Sequence, residues 1–381
     1  MARQWGWLGC IGFGGPPTHI RLLRQLCVEQ RGWIAPAEFE DAIASCNLLP
    51  GPSSTQLAIY CAWRLRGRTG ALVGGVAFIL PGLVLILALA ALFLTGVPPR
   101  WLLAAAAGAG AGVAAVAVQA GLSLIPASWS RRAHSTRWAM YLGAGILASG
   151  LFGPGLVLVL LGCGLIELLL CRARNSRTRD PGGHGPGGAR LTALPLFAGS
   201  VGTSALLGVA WVGLKVGALS YGGGFVIIPL MQADAVSHYH WMSGAQFLNA
   251  VALGQLTPGP VTQTVAVVGY AGAGLGGGLL AAGVAFAPSF ALILLGAPRF
   301  DQLRTNPDVR SFLDGAGPTA IGAILGSSVP LALALAQPWQ YALLAAAAIA
   351  LVGLHRPVVP TLLTCAVVGT ILVTTGLALP R

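Results

Sequence analysis

The stretch NLLPGPSSTQ, residues 47–56, returns as QLTPGPVTQT at residues 255–264. Its two triplets, Pro50-Gly51-Pro52 and Pro258-Gly259-Pro260, lie 208 residues apart. The same offset joins Gly14, Gly15, Trp33 and Phe39 to Gly222, Gly223, Trp241 and Phe247. It also joins Ala58 to Ala266 and Phe78 to Phe286. One offset held over most of a chain marks two homologous halves. In an apolar chain such halves usually build a transport path between them.

The rest of the 381 residues fits a membrane. The chain is 55% hydrophobic and 8% charged, with a mean hydropathy of +0.78. A soluble surface is about a quarter or more charged. Apolar runs of about 20 residues recur, enough to cross the hydrocarbon core. Backbone groups in lipid must be satisfied internally, and continuous rather than alternating runs point to helices, not a barrel. The start of the chain lacks the basic, apolar and small-residue order of a cleavable signal, so the first segment is expected to be retained. The net charge of +12 comes from arginines in short connections, a positive-inside pattern and not a nucleic-acid footprint. Seven scattered cysteines form no CxxC pair, which argues against disulfides and zinc. No haem or nucleotide site is evident, so no cofactor and no metal is expected.

The expected fold is an all-α polytopic membrane protein of about 10–13 transmembrane helices. Candidate spans are 7–28, 42–62, 70–95, 101–126, 137–151, 154–171, 192–214, 216–234, 246–270, 273–296, 311–335, 339–354 and 358–379. Segments 137–151 and 154–171 read as two tilted crossings or one broken element. The polar stretch RARNSRTRDPGGHGPGGAR, residues 172–190, reads as a flexible linker whose arginines place it in the cytoplasm. It separates a first domain, 1–171, from a second, 191–381.

Loop charges predict that the halves are inverted. Arg64, Arg66 and Arg68 follow the first triplet helix, whereas 272–276 carries no charge. Arg131, Arg132 and Arg137 have no counterpart near 336–341. Arg299, Arg304 and Arg310 face only Arg100 in the first half. Basic loops that swap sides between copies are what an inverted-topology repeat requires when both halves obey one rule. Span 192–214 has no first-half partner and supplies the odd element that permits inversion.

The triplets should break their helices, because proline donates no backbone hydrogen bond and clashes with the preceding turn. Such backbone survives in a membrane only against protein or a water-filled cavity. The freed N–H groups and the positive end of the next half-helix can hold an anion. Ser53, Ser54, Thr55 and Gln56 follow the first break, and Thr262, Gln263 and Thr264 the second. A lone triplet reads more simply as a kink recapped by Ser or Thr; two in corresponding positions favour a binding site. Gly14-Gly15 and Gly222-Gly223 allow either close helix packing or a second unwound point lining the site.

Lys215 is the only lysine and lies in an apolar stretch, where it either snorkels or attracts an anion. Arg21 and Arg24, near the first glycines, face either the cavity or the headgroups. Glu29 and Asp234 are candidates for binding a proton, with loop and interface roles as the alternative. Trp33 and Trp241 suit interfacial anchors, and His19 suits packing or hydrogen bonding. The few acidic residues and six histidines form no catalytic constellation by spacing, so an enzyme is not expected.

These residues carry a resemblance. GFGGPPTHI at 12–20, NLLPGPSSTQLAIY at 47–60, LKVGALSYGGGFVIIPLM at 214–231 and LGQLTPGPVTQTVAVVGYAG at 253–272 resemble the chromate ion transporter family in its long, two-domain form. VAFILPG at 76–82 and VAFAPSF at 284–290 resemble it too. The resemblance implies a secondary transporter of the cytoplasmic (inner) membrane that exports chromate, confers resistance and runs on the proton-motive force as an antiporter, with sulfate as a similar competitor. The family's signatures fall here on Gly14, Gly15, Pro50, Gly51, Pro52 and Gln56, and on Lys215, Gly222, Gly223, Pro258, Gly259 and Pro260. Where the family often has a basic residue, this chain has Trp7, which counts against a symmetric pair of anion-binding charges. The mechanism expected is alternating access, with membrane lipid and a second copy in a homodimer as partners and no ATPase subunit. A carrier of sulfate or another oxyanion is the main alternative, and an anion channel a lesser one.

Overall fold

The computed structural model describes residues 1–94, 99–130, 132, 134–151, 156–177, 205–220, 227–297 and 306–379. The linker beyond residue 177, the start of span 192–214, Gly222, Gly223, Arg131, Arg299 and Arg304 lie outside them.

The chain is an all-α, multi-pass membrane protein. Five described helices are long and apolar enough to cross a bilayer by length and composition: Ser53–Leu94, Arg100–Ser130, Leu156–Arg174, Val261–Gly296 and Pro307–Leu333. Shorter apolar helices cover Ala205–Leu219, Pro338–Gly353 and Val358–Thr374. Leu72, Val76, Leu80 and Val84 stand exposed one turn apart on one helix. A stripe of exposed aliphatic side chains at i, i+4 spacing suits lipid, not water.

The chain opens with α1 (Ala2–Ile11), a glycine turn, and α2 (Pro16–Arg24), which runs on into a π-helical turn, Gln25–Gln30. Gly14 and Gly15 have φ of 93° and 74°, which L side chains rarely adopt, so glycine is needed where the chain reverses. Trp5 stacks on Trp33 with ring centroids 6.4 Å apart, bringing the far ends of this hairpin together. The crossing expected over 7–28 is therefore two helices folded back at the glycines.

Next come α3 (Pro36–Leu48) and α4 (Ser53–Leu94), with the first Pro-Gly-Pro between them. Glu38, near the start of α3, pairs with Arg64, near the end of the first arm of α4. Collinear helices of this length would hold those residues about 40 Å apart at 1.5 Å per residue. The two segments thus run antiparallel, and the triplet is the tip of a hairpin. The single crossing expected over 42–62 does not form. Proline and glycine at the tip end one helix and start the next.

Helix α4 is itself two arms. Arg66 (φ −143°) and Gly67 (φ 59°) are non-helical. A Cβ on Gly70 would overlap the Ala62 carbonyl, and one on Gly74 the Ala62 side chain, so residues 68–94 fold back along 53–65.

The second half repeats this series. Helices α9 (Ala205–Leu219) and α10 (Ile227–Gln232), a π-helical turn at Ala233–His238, and α11 (Gly244–Leu256) follow one another. A 3₁₀ turn (Val261–Gln263) leads into α12 (Thr264–Gly296), bent at Ala273–Gly274. The π turns are 208 residues apart, as are the ends of α1 and α9 and both ends of α3 and α11. The reversals at Gly67 and Gly274 are 207 apart, so one residue is dropped after the second triplet, and the pairs Ala58/Ala266 and Phe78/Phe286 expected at 208 fall one place out of register: Gly9 meets the Phe78 carbonyl where Gly217 meets that of Ala285. Trp241 packs on Gly272, which makes α11 and the first arm of α12 a second antiparallel hairpin. The crossing expected over 246–270 is corrected in the same way.

The remaining helices interleave. They are α5 (Arg100–Ala111), α6 (Val113–Ser130), α7 (Ser135–Leu151), α8 (Leu156–Arg177), α13 (Pro307–Leu333), α14 (Pro338–Ala348) and α15 (Val358–Thr374). Helix α13 packs on α7 and α8, and α5 packs on α15. Backbone lies on backbone: a Cβ on Gly315 would overlap the Cys163 carbonyl, and one on Gly108 the Cys365 carbonyl. Small residues at crossings let membrane helices approach this closely.

Candidate functional site at the hairpin tips

The two Pro-Gly-Pro tips are clasped by the opposite half. The Gly51 N–H donates to the Ser220 carbonyl at 3.0 Å, and the Gly259 N–H donates to the Gly12 carbonyl at 2.9 Å. Gly12 and Ser220 are themselves 208 residues apart, each directly after the end of a helix, α1 or α9, so equivalent carbonyls hold the other half's triplet. Gly51 and Gly259 have φ of 119° and 107°, a region open in practice only to glycine.

The second arms of α4 and α12 complete the clasp. A Cβ on Gly82 would overlap the Pro258 carbonyl and Gln263 Oε1. A Cβ on Gly51 would overlap Gln56 Nε2 and lie 2.9 Å from Ser289 Oγ. Gly82 and Ser289 both follow a proline within the helix, Pro81 and Pro288. Each half therefore brings a Pro-small pair to its partner's tip.

The first turns of the helices leaving the tips are polar and buried. Ser53, Ser54, Thr55 and Gln56 are buried, as are Thr262, Gln263 and Thr264. Gln56 Nε2 donates to the Pro50 carbonyl at 2.6 Å, and Gln263 Nε2 donates to the Ile79 carbonyl at 2.7 Å. Among the described residues, Thr55 Oγ1, Gln56 Oε1, Ser220 Oγ, Gln255 Nε2, Thr262 Oγ1, Gln263 Oε1 and Ser289 Oγ have no hydrogen-bond partner. A buried polar atom without a partner costs about 1–3 kcal/mol. Most such atoms in native proteins are satisfied, so a cluster of them calls for a partner such as water or an ion, or for a strained arrangement.

His19 ties the tips together. Its Nε2 lies 2.9 Å from the Gly12 carbonyl, and its Nδ1 3.1 Å from Ser54 Oγ. A carbonyl only accepts, so Nε2 carries the proton and Ser54 donates to Nδ1. The Gly12 carbonyl thereby accepts from both His19 and Gly259.

The structure separates the remaining candidates from one another. Pro52, Pro258, Gly259 and Pro260 are buried at the tips; Pro50 is exposed on its outer side. Gly15 is buried, where a Cβ would touch Val261, whereas Gly14 is exposed. Lys215 pairs with Asp234 at 2.5 Å; Asp234 is buried and Lys215 partly buried. Its ammonium also lies 5.5 Å from the Trp211 ring centroid. Lys215 is five residues before Ser220 on α9, about one and a half turns from the tip. Arg24 pairs with Glu40, while Arg21 and Glu29 are exposed on α2 and its π turn.

Ser220, Ser289 and Gly82 were not singled out by sequence reading. The pairing of VAFILPG with VAFAPSF carried the signal for Gly82 and Ser289. Nothing local marks Ser220. Glu167 also escaped notice: it is buried and accepts from Tyr141 Oη at 2.8 Å beside Arg137 at 3.0 Å, which locks α7 to α8.

A family model described as "Chromate transporter" matches residues 1–168 and 207–370. A "Chromate transport protein" of Cupriavidus metallidurans is 32% identical over 90% of this chain and 85% of its own length. A "Probable chromate transport protein" of Synechococcus elongatus is 30% identical over 85% of this chain and 82% of its own. A "Chromate transport protein" of Pseudomonas aeruginosa is 29% identical over 86% of this chain and 80% of its own. No solved structure matches the chain significantly.

Proposed function

The chain belongs to the chromate transporter family, and we propose that it is a secondary carrier exporting chromate across the cytoplasmic membrane by alternating access. As a member of that family it is a transporter and not an enzyme. The observation that carries the reading is the group of seven buried polar atoms without partners where the hairpin tips meet. Four are hydroxyls and one an amide N–H₂, all able to donate to oxyanion oxygens. The first arms of α4 and α12 begin at the tips, and the positive ends of their helix dipoles favour an anion there.

In this reading residues 1–171 and 191–381 form an inverted-topology repeat joined by a cytoplasmic linker at 172–190. The spacing of the π turns and tips at 208 residues, and of the reversals at 207, supports homologous halves, and the swapped basic loops support inversion. Rocking of one half against the other would open the tips to each face in turn. A groove of about 740 Å³ between α1 and α2 carries Arg3 and Arg31 in its lining and would offer a basic surface to an anion. The proton-motive force would drive export. Its electrical part, negative inside, contributes about 2.3 kcal/mol per charge per 100 mV to outward movement of an anion. The Lys215–Asp234 pair would act through long-range attraction or coupling and not by touching the anion. Sulfate is the competing substrate.

The test is radiolabelled chromate flux into proteoliposomes at an imposed potential, with and without a separate pH gradient, and with sulfate as competitor. Saturable flux that is lost in a Pro52→Ala/Pro260→Ala double variant supports the carrier and its site. Transport of sulfate with no chromate flux would sink the substrate assignment and keep the architecture.

A further inference from the structure

The two halves differ at one matched place. In the second half, Lys215 of α9 and Asp234 of the π turn join in an ion pair at 2.5 Å, and the Trp211 ring centroid lies 5.5 Å from the ammonium. The residues 208 positions earlier are Trp7 of α1, Leu26 of the first π turn and, for Trp211, Arg3. Trp7 and Leu26 cannot form an ion pair. Here the structure has the groove of about 740 Å³, with both residues and Arg3 in its lining. Trp7 is 64% exposed.

The groove is graded along its length. Arg3 and Gln4 lie near the start of α1, and Gln30 and Arg31 at the end of the π turn that returns beside it. The stacking of Trp5 on Trp33 holds these two ends together. Toward the glycine turn the walls are mostly apolar, with Leu8, Ile11 and Leu22, and with Gln25 and Cys10 as the exceptions. No Asp or Glu lines the groove. Among the described residues neither arginine pairs with a carboxylate. The Arg31 guanidinium lies over the Trp33 ring, 5.8 Å from its centroid, which occupies its flat face and leaves the N–H groups at its edge for an anion.

The basic end of the groove has a definite place in the fold. Gly74, just past the reversal that carries Arg66 and Arg68, packs on Trp5. Arg3, Arg31, Arg64, Arg66 and Arg68 therefore gather at one end of the first half. The positive-inside rule puts such an end at the cytoplasmic surface. Anionic headgroups give that leaflet its negative potential, and basic pockets between helices on that side suit them.

We propose that the groove is a binding site for an anionic phospholipid of the cytoplasmic leaflet. The phosphate sits between Arg3 and Arg31, whose guanidinium forks suit phosphate oxygens. Gln4 and Gln30 donate to the rest of the headgroup, and an acyl chain runs past Trp7, Leu26 and Leu22 toward the glycine turn. A free oxyanion would meet the same arginines but would leave the apolar length of the groove unfilled. The lipid thus takes the place that the Lys215–Asp234 pair occupies in the other half. The proposal depends on the chain spanning a membrane and not on what it transports, so it stands or falls apart from the chromate reading.

The experiment uses the purified full chain. Phosphatidylglycerol and phosphatidylcholine with identical chains are titrated onto it in detergent, and bound lipid is counted by native mass spectrometry. Phosphatidylglycerol is expected to bind saturably and more tightly than phosphatidylcholine. Arg3→Gln/Arg31→Gln should weaken that binding about 30-fold, at about fivefold per arginine. Arg66→Gln/Arg68→Gln removes as much charge from the exposed reversal of α4 and should leave it unchanged. Equal weakening in both double variants would overturn the groove in favour of a diffuse basic face. Equal binding of the two lipids would overturn the proposal as well. Sulfate or chromate that displaces the lipid at constant ionic strength would give the groove to a free oxyanion and sink the lipid assignment. A second measurement needs no variant: phosphatidylglycerol with a photoactivatable chain, in proteoliposomes, should cross-link to the wild-type chain within residues 7–26. Cross-links found only elsewhere would overturn the site, and protein–protein cross-links through Trp7 in their place would give the groove to a second copy of the chain.

Discussion

The backbone N–H of Gly259 donates to the carbonyl of Gly12 at 2.9 Å, across 247 residues of chain. With its counterpart from Gly51 to Ser220, it makes each half's triplet depend on a carbonyl just past the end of the other half's first helix, α1 or α9. His19 donates to the same Gly12 carbonyl, so one acceptor fixes a hairpin tip, a histidine and a partner tip together. The site is thus a property of the two halves jointly.

Thr55→Val and Thr262→Val separate binding from folding. Neither hydroxyl has a partner in the protein, so removing it loses no internal hydrogen bond. The melting temperature should stay the same or rise slightly. A hydrogen bond to a charged ligand contributes about 1.5–3 kcal/mol, so the half-saturating chromate concentration should rise about 10- to 150-fold. An unchanged flux curve would remove these hydroxyls from the site.

Gly82→Ala should block transport through sterics alone. The added Cβ meets the Pro258 carbonyl, which is backbone and cannot swing aside. Gly283→Ala on α12 is the control, because a Cβ there meets nothing within 4 Å. That change should stabilise its helix by up to about 1 kcal/mol and leave flux intact. Equal flux in both variants would show that the tip tolerates displacement.

Lys215 and Asp234 should behave as a coupled pair in a double-mutant cycle. Neutralising one leaves the other buried and alone, which costs about 3–5 kcal/mol. Lys215→Met should therefore unfold at lower temperature, and Lys215→Met/Asp234→Asn should recover most of the loss. Additive losses in the double variant would mean that the pair does not interact. Whether the recovered protein still responds to membrane potential then tests the role in coupling.

Gly67→Ala and Gly274→Ala probe the reversals. Both glycines have φ near 60°, and a Cβ at either meets nothing within 4 Å. The penalty is conformational only, about 1–2 kcal/mol, and should be similar in the two halves. Differential scanning measurements on the purified variants check this; a large loss in one half alone would show that the reversals are not equivalent.

The sequence by itself determined a good deal. Its apolar runs and sparse charge made the chain a helical membrane protein, because lipid leaves the backbone no other way to satisfy itself. The offset between Pro50 and Pro258 disclosed the repeat, and the chemistry of proline and glycine located the polar turns at Ser53–Gln56 and Thr262–Gln263. Hydropathy could not show that α3 and the first arm of α4 fold back on each other, since a re-entrant hairpin and a single crossing have the same apolar content. That was decided by contacts such as Glu38 with Arg64. Nor could local sequence say which atoms at the tips would be left without partners. Gln56 looks like any helical glutamine until the Pro50 carbonyl takes its amide nitrogen. Ser220 and Ser289 become part of the site only because distant backbone brings them to Gly51. Long-range packing, not composition, sets which polar atoms are satisfied, and so only the tertiary structure could define the site.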